Sequence, residues 1–462
     1  MQRWLFSPVQ RAPQRLWFSS QHLPRQIRVP CASSGDITVS LHNVSDSHST
    51  APLIIWIPPF PREDGVGDSQ PPSWLRPYQT AVINYRWSGL YPDSSPFPST
   101  NAVTPAAAKK QQPLYWPAPI HDLLFGYSWI LRNLAPPNFG RRDFYVCGSY
   151  LGASLAASLA MTESHAHQPT AVRGIIAYNG IYNWTTFLPD HPVNESAFDG
   201  GDGSLSSAAS AESNGDYEKE TMFDYLEQQA PALFPSPADL FDPFASASLF
   251  FHSPELLVPA DFHQRSQASA ITLAVDALAS VGDTSDGNSS SANDSDSAGR
   301  ESTMLLGKVP RKGYFAFPPR DSTLKIPETL LLHETPPPAS SAPFRHPWGS
   351  SSRSRGGKRD IMAMLGVAAA PPKRKKVGSA YYGGNSFGAQ AAELAGLMRR
   401  SIDKIELKQR MRWDNDLDGW DTEAERRVQV AEVGEAALDG DAGLGARGEE
   451  VAAGWLEERI EG

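Results

Sequence analysis

Short apolar runs alternate with turn residues and helix-period segments from about residue 26 to 184. The runs Ile37–Leu41, Leu53–Ile57, Ala81–Tyr85, Asp143–Cys147 and Gly174–Tyr178 read as strands, rich in β-branched and aromatic residues and bounded by Gly, Pro, Asn or Ser. Between the third and fourth, Pro119–Leu134 carries Leu123, Leu124, Tyr127, Ile130, Leu131 and Leu134 mainly on one helical face. Pro119 suits a first helical turn, and Pro136–Pro137 stop the helix. Nearly continuous apolar strands separated by helices predict an α/β fold, a mostly parallel central sheet flanked by helices on both faces.

After Trp184 the pattern thins. Residues 185–261 read as a cap-like insertion, with acids, Ser and Gly and few apolar positions between 190 and 235. Residues 265–303 and 336–380 are Ser/Asp/Gly-rich and Pro/Ser/basic tracts that predict disordered insertions. Between them Leu324–Leu332 reads as a late strand. Ser386–Trp413 reads as the best helix of the C-terminal half, with Phe387, Ala391, Leu394, Leu397, Met398, Ile402 and Ile405 spaced three and four apart. Residues 414–462, acidic with scattered Ala, Val and Gly, are expected to form a weak helix or an acidic C-terminal tail. A folded domain is therefore expected over 26–413.

Composition adjusts this picture in three ways. Five arginines, Arg3, Arg11, Arg15, Arg25 and Arg28, precede the first acid, Asp36, a balance that predicts a mitochondrial presequence over 1–25, with a cytoplasmic or nuclear location as the alternative. The two cysteines, Cys31 and Cys147, supply neither a disulfide framework nor a zinc spacing. The formal net charge of −10 argues against general nucleic-acid binding, and no run approaches the roughly 18–20 apolar residues of a membrane span. No cofactor is expected.

The segment Asp143–Ala156 holds the most chemical information. A strand runs into a helix through Gly148 and Gly152, four apart, with small residues on the helix that permit close packing. This is the arrangement of G-x-S-x-G, in which two glycines allow a tight turn that lifts the central side chain above the sheet. Together with Asn84–Tyr85–Arg86 after a strand and Pro119–Ile120–His121–Asp122 opening a helix, it resembles the α/β-hydrolase fold family, of the esterase/lipase-like, fold-3 type. The resemblance spans roughly residues 26–184 and 308–413.

It implies a serine midway between the glycines. Tyr150 stands there, and Ser149 sits one residue early. It implies an oxyanion loop of H-G-G-G type after an early strand, where this chain has Pro58–Pro59–Phe60–Pro61, and proline has no N–H to donate. It implies an acid after the late strand, for which Glu334 is available. It implies a histidine before the terminal helix, where Asn385 stands, and no histidine follows His346. Asn does not accept and return a proton at neutral pH, and a tyrosine with a pKa near 10 is a poor acyl nucleophile. These positions predict a catalytically degenerate pseudo-enzyme that binds a small apolar ligand or a protein partner. The alternative is an active carboxylic-ester hydrolase with Ser149, or less simply Ser154 of the helix, as displaced nucleophile, His252, His263 or His333 as base and Glu334 orienting it.

Two weaker motifs remain. Pro371–Val377 contains a Lys/Arg run that reads either as a nuclear-import signal or as a solvated stretch. Residues 414–425 match the calcium-loop spacing D-x-D-x-D-G-x5-E through Asp414, Asp416, Asp418 and Glu425. Asp421 stands where that loop normally packs an apolar residue, so an acidic turn is the competing reading, and no metal is expected.

Overall fold

The computed structural model describes residues 24–44, 49–61, 69–90, 113–137, 140–188, 191–195, 221–254, 256, 312–335, 385–408, 422–434 and 443–461. Its strands are β1 (Arg25–Pro30), β2 (Asp36–His42), β3 (Leu53–Ile57), β4 (Thr80–Asn84), β5 (Arg142–Ser149), β6 (Thr170–Tyr178), β7 (Glu328–His333) and β8 (Val428–Glu432). They form one eight-stranded sheet in the order β1-β2-β4-β3-β5-β6-β7-β8. β2 runs antiparallel to β1 and β4, and every other pairing is parallel.

All five residues of β3 and of β4 are buried, as strands covered on both faces require. The longer helices are α1 (Ala118–Leu134), α2 (Leu151–Glu163), α3 (Met222–Leu233), α4 (Phe387–Ser401) and α5 (Ala446–Glu461). Successive strand residues point to opposite faces. Phe144 of β5 meets Tyr127 of α1 with ring centroids 6.2 Å apart, while Tyr145 meets Trp455 of α5 at 6.5 Å. Thus α1 and α5 cover opposite faces. α2 packs beside α1 against β5 and β6, and its Ala, Ser and Gly side chains leave room for the strands beneath it.

A buried ion pair fastens α1 to the end of β4. The Arg86 guanidinium donates to both carboxylate oxygens of Asp122, at 2.8 and 2.6 Å, and the Arg86 backbone N–H donates to the same group at 3.0 Å. Removing one partner of such a buried pair typically costs about 3–5 kcal/mol. The short helix opening read at Pro119–Asp122 is therefore also an anchor for the sheet.

The expected α/β architecture is present, and the differences lie at its margins. β1 begins at Arg25, the last residue assigned to the presequence; residues 1–23 lie outside the described residues. Its burial is confined to Ile27 and Val29, with charged Arg25 and Arg28 exposed, as suits an edge strand. The segment read as a weak helix or acidic tail contributes β8 and α5. β8 is a half-exposed edge of five residues with little apolar signal. In α5 the buried residues Gly448, Ala452, Trp455 and Leu456 recur at helical spacing among exposed acids, so composition concealed the period.

The late strand begins at Glu328 rather than Leu324, because Pro327 has no N–H for the ladder. α4 ends its regular part at Ser401 and continues as a π-helical turn over Ile402–Leu407. Within the cap-like insertion, Met222–Leu233 forms α3 where few apolar positions were expected. Thr221 and Asp224 make a reciprocal capping box, and Phe223, Tyr225, Leu226, Ala230 and Leu233 are buried. The stretches 265–303, 336–380 and 371–377 lie outside the described residues.

Candidate functional site

At the C-terminal end of β5 the chain turns directly into α2 through Tyr150, whose φ of 51° and ψ of −116° fall in a region that side chains rarely adopt. Such a conformation costs about 1–3 kcal/mol and persists only where its surroundings enforce it. The surroundings here are the two glycines. A methyl group on Gly148 would lie 2.5 Å from the Gly152 carbonyl oxygen, and one on Gly152 would lie 2.3 Å from that of Pro58. The Tyr150 N–H donates to Tyr178 O at 2.8 Å, and the Ala153 and Ser154 N–H groups donate back to Tyr150 O at 3.1 and 3.2 Å. The elbow backbone is that of a strand–nucleophile–helix turn.

The side chain it lifts is enclosed. Tyr150 is fully buried, stacked on Phe60 at 5.7 Å with planes 15° apart, and meets Tyr178 at 5.7 Å and Phe387 at 5.8 Å edge-on. Phe223 of α3 closes over Phe387 at 5.0 Å, and Tyr225 meets Phe60 at 6.5 Å. Each such pair adds about 0.5–1.5 kcal/mol beyond burial, enough together to offset the strain at the turn. The loop Pro58–Pro61 thus covers Tyr150 with a ring. Where it abuts Gly152, the nearest loop atoms are the carbonyl oxygens of Ile57 and Pro58.

Beneath the rings lies a small polar cluster. The Tyr150 and Tyr178 hydroxyls are buried near each other and near Asn179 without a hydrogen bond of ordinary geometry. Burial, then the charge of Glu334, pushes the Tyr150 phenol well above its usual value; burial, Tyr150 and Glu334 do the same to Tyr178. Glu334 follows β7 as expected for an acid, but it is engaged by Asn179, which donates through Nδ2 to Oε2 at 3.1 Å and accepts the Glu334 N–H at 2.9 Å. Burial raises the Glu334 carboxyl above its ordinary range despite that hydrogen bond.

Ser149 is the last residue of β5, buried opposite Tyr178, and its side chain makes no hydrogen bond among the described residues. The candidate bases are occupied elsewhere. His333 Nδ1 lies 2.9 Å from the Glu334 carbonyl oxygen, and the ring rests against Gly388. His252 has Nδ1 2.7 Å from Ser253 O and Nε2 3.3 Å from Glu393. His263 lies outside the described residues. Ser154 accepts the Ile181 N–H at 3.0 Å and donates to Tyr150 O at 3.3 Å, a packing role within α2.

Asn385 requires a correction. It precedes α4, but β8 and α5 follow α4, so the residues before the terminal helix are 433–445, not 384–385. No histidine occurs there either. Asn385 instead joins a network that sequence reasoning missed. Gln390 Oε1 accepts from the N–H groups of Tyr182 and Asn183 at 3.1 and 2.9 Å, and its Nε2 donates to Thr186 Oγ1 and Asn385 Oδ1, both at 2.9 Å. Asn385 Nδ2 completes the ring of bonds on Thr186 at 2.9 Å. Polar residues at helical spacing in α4 were the available signal.

Asp414, Asp416 and Asp418 lie outside the described residues, and Glu425 is exposed on the short helix Glu423–Arg427. Among the described residues no group of three His, Cys, Asp or Glu is placed to hold a metal ion, and no helix is long and apolar enough to cross a membrane.

The mostly parallel sheet with helices on both faces and the elbow at the end of a central strand define an α/β-hydrolase fold. No protein-family model matches the chain, and no curated protein matches its sequence. Solved structures with similarity include esterases. The carboxylesterase EstE1 from a metagenomic library is 13% identical, with a TM-score of 0.31 over 50% of this chain and 65% of its own. An esterase of Pyrobaculum calidifontis is 14% identical, with a TM-score of 0.30 over 56% and 73%. Carboxyl esterase 2 of Tuber melanosporum is 13% identical, with a TM-score of 0.28 over 50% and 62%. The chain thus spans less than two thirds of the first and third of these proteins.

Proposed function

We propose that this α/β-hydrolase-fold protein is catalytically degenerate and serves as a binding protein for a small apolar ligand or a protein partner. The observation that carries the reading is Tyr150, which occupies the elbow as a fully buried ring under Phe60, Tyr178 and Phe387. A phenol whose pKa is driven upward by burial is a worse nucleophile than a free one. Serine chemistry needs a base within about 2.6–3.2 Å, and Ser149 has no such neighbour among the described residues. Prolines in the loop after β3 add to the same conclusion by removing donors from the place where an oxyanion would form.

The test is covalent labelling of the pure full-length chain with a fluorescent fluorophosphonate, followed by peptide mapping. No serine adduct above that of the heat-denatured protein is expected. Stoichiometric modification of Ser149 would overturn the proposal and reinstate a displaced esterase site.

A further inference from the structure

A groove of about 280 Å³ opens along the C-terminal half of α4 and its π-helical turn, lined by Phe251, Phe315, Leu397 and Ile405 on its apolar side and by Arg320, Arg400 and Lys404 among its polar groups. Its first α4 residue, Leu397, lies 10 residues beyond Phe387, roughly 15 Å along the helix at 1.5 Å per residue. Large apolar side chains left in solvent concentrate here, with Tyr314 48% and Phe315 55% exposed.

The three cations are the informative feature. None of them has a hydrogen bond or a carboxylate partner among the described residues, in a chain whose formal net charge is −10. The Arg400 guanidinium lies over the Tyr314 ring, its central carbon 3.6 Å from the ring centroid. A cation–π contact of this kind holds the group in place without a carboxylate, so its N–H donors remain to pair with one. The π-helical turn Ile402–Leu407 adds a second observation. Such turns are rare and concentrate at functional sites, and this one carries Lys404 and Ile405 into the lining.

We infer that the groove binds an anionic amphiphile, a monocarboxylate with a short aliphatic body. Its head meets Arg320, Arg400 and Lys404, and its chain lies against Phe251, Phe315, Leu397 and Ile405. The volume falls just under the roughly 300–1,000 Å³ of sites for drug-sized ligands, which suits a small acid. The site is separate from the elbow and stands whether or not the elbow is active.

Calorimetric titration of the full-length protein with sodium octanoate, beside its uncharged isostere octanamide, tests this. Octanoate is expected to bind at least tenfold more tightly than octanamide and to weaken as salt rises from 50 to 300 mM. The surface variant Arg320→Gln/Lys404→Gln, with an unchanged melting temperature, is expected to lose that preference. Absence of octanoate binding, equal affinity for the two compounds, or a preference that survives in the variant would overturn the inference.

Discussion

Two neighbourhoods sit side by side over the C-terminal ends of the central strands, and they are held by different physics. Around Tyr150 the contacts are rings, and two buried hydroxyls lack ordinary hydrogen bonds. Around Gln390, a few residues along α4 from Phe387, the amide oxygen and nitrogen each have two partners within 3.1 Å. The flanking carboxyls repeat the contrast. Burial raises Glu334 beside the elbow. Glu393, which accepts from Asn183 at 3.4 Å, is also opposed by burial, but His252 beside it and the hydrogen-bonded Lys312 ammonium hold it at about 2. The elbow backbone therefore does not depend on reactive chemistry at its tip: the glycines and α2 maintain it while the side chain above is used for packing.

The contrast predicts a ranked set of effects. Tyr150→Ala removes the ring at the centre of three aromatic contacts and should destabilise the protein by about 3–5 kcal/mol in urea unfolding, as large-to-small core changes do. A loss under 1 kcal/mol would mean that the ring cluster is not close-packed. Gln390→Leu keeps the volume but leaves the Tyr182 and Asn183 N–H groups without their acceptor. It should cost at least about 2 kcal/mol, since each of the two buried unsatisfied groups costs about 1–3 kcal/mol. If Gln390→Leu proves harmless while Asn385→Ala is costly, the network is centred on the wrong residue.

The carboxyl pair gives pH effects of opposite sign. Glu393 is depressed in the folded state from its ordinary 4.5, so its contribution is present above pH 4.5 and is lost as pH falls toward 2. Glu393→Gln should flatten the acid limb of the urea midpoint between pH 5 and pH 3. Glu334 is raised, so the folded state holds its proton more tightly, and stability declines as pH climbs from 4.5 through the folded value. Glu334→Gln should remove that decline, and a steeper decline in the variant would reverse the assignment. The smallest effect is expected from Tyr150→Phe. Its hydroxyl has no ordinary hydrogen bond to lose, so the change should stay within about 0.5 kcal/mol of the parent protein.

What was legible in the sequence follows from burial. β3 and the core of β5 are enclosed on both faces and read as apolar runs, so Leu53–Ile57 was found residue for residue. The edges β1 and β8 show their charged and polar positions to solvent, and neither announced itself. Missing β8 had a consequence at the site, because it made α4 look terminal and Asn385 look like the replacement for a histidine. The elbow was legible since its constraint is local, two glycines and the residue between them. The cover over Tyr150 was not, because Phe60, Tyr178, Phe223 and Phe387 come from four separate segments that only the fold brings together.

The most direct test of degeneracy is the rate of p-nitrophenyl butyrate hydrolysis by pure full-length protein, measured beside its Ser149→Ala and Tyr150→Phe variants. All three should match one another and the rate given by an equal mass of serum albumin. Turnover by the parent protein that falls at least tenfold in either variant would contradict the account and make the elbow an active site.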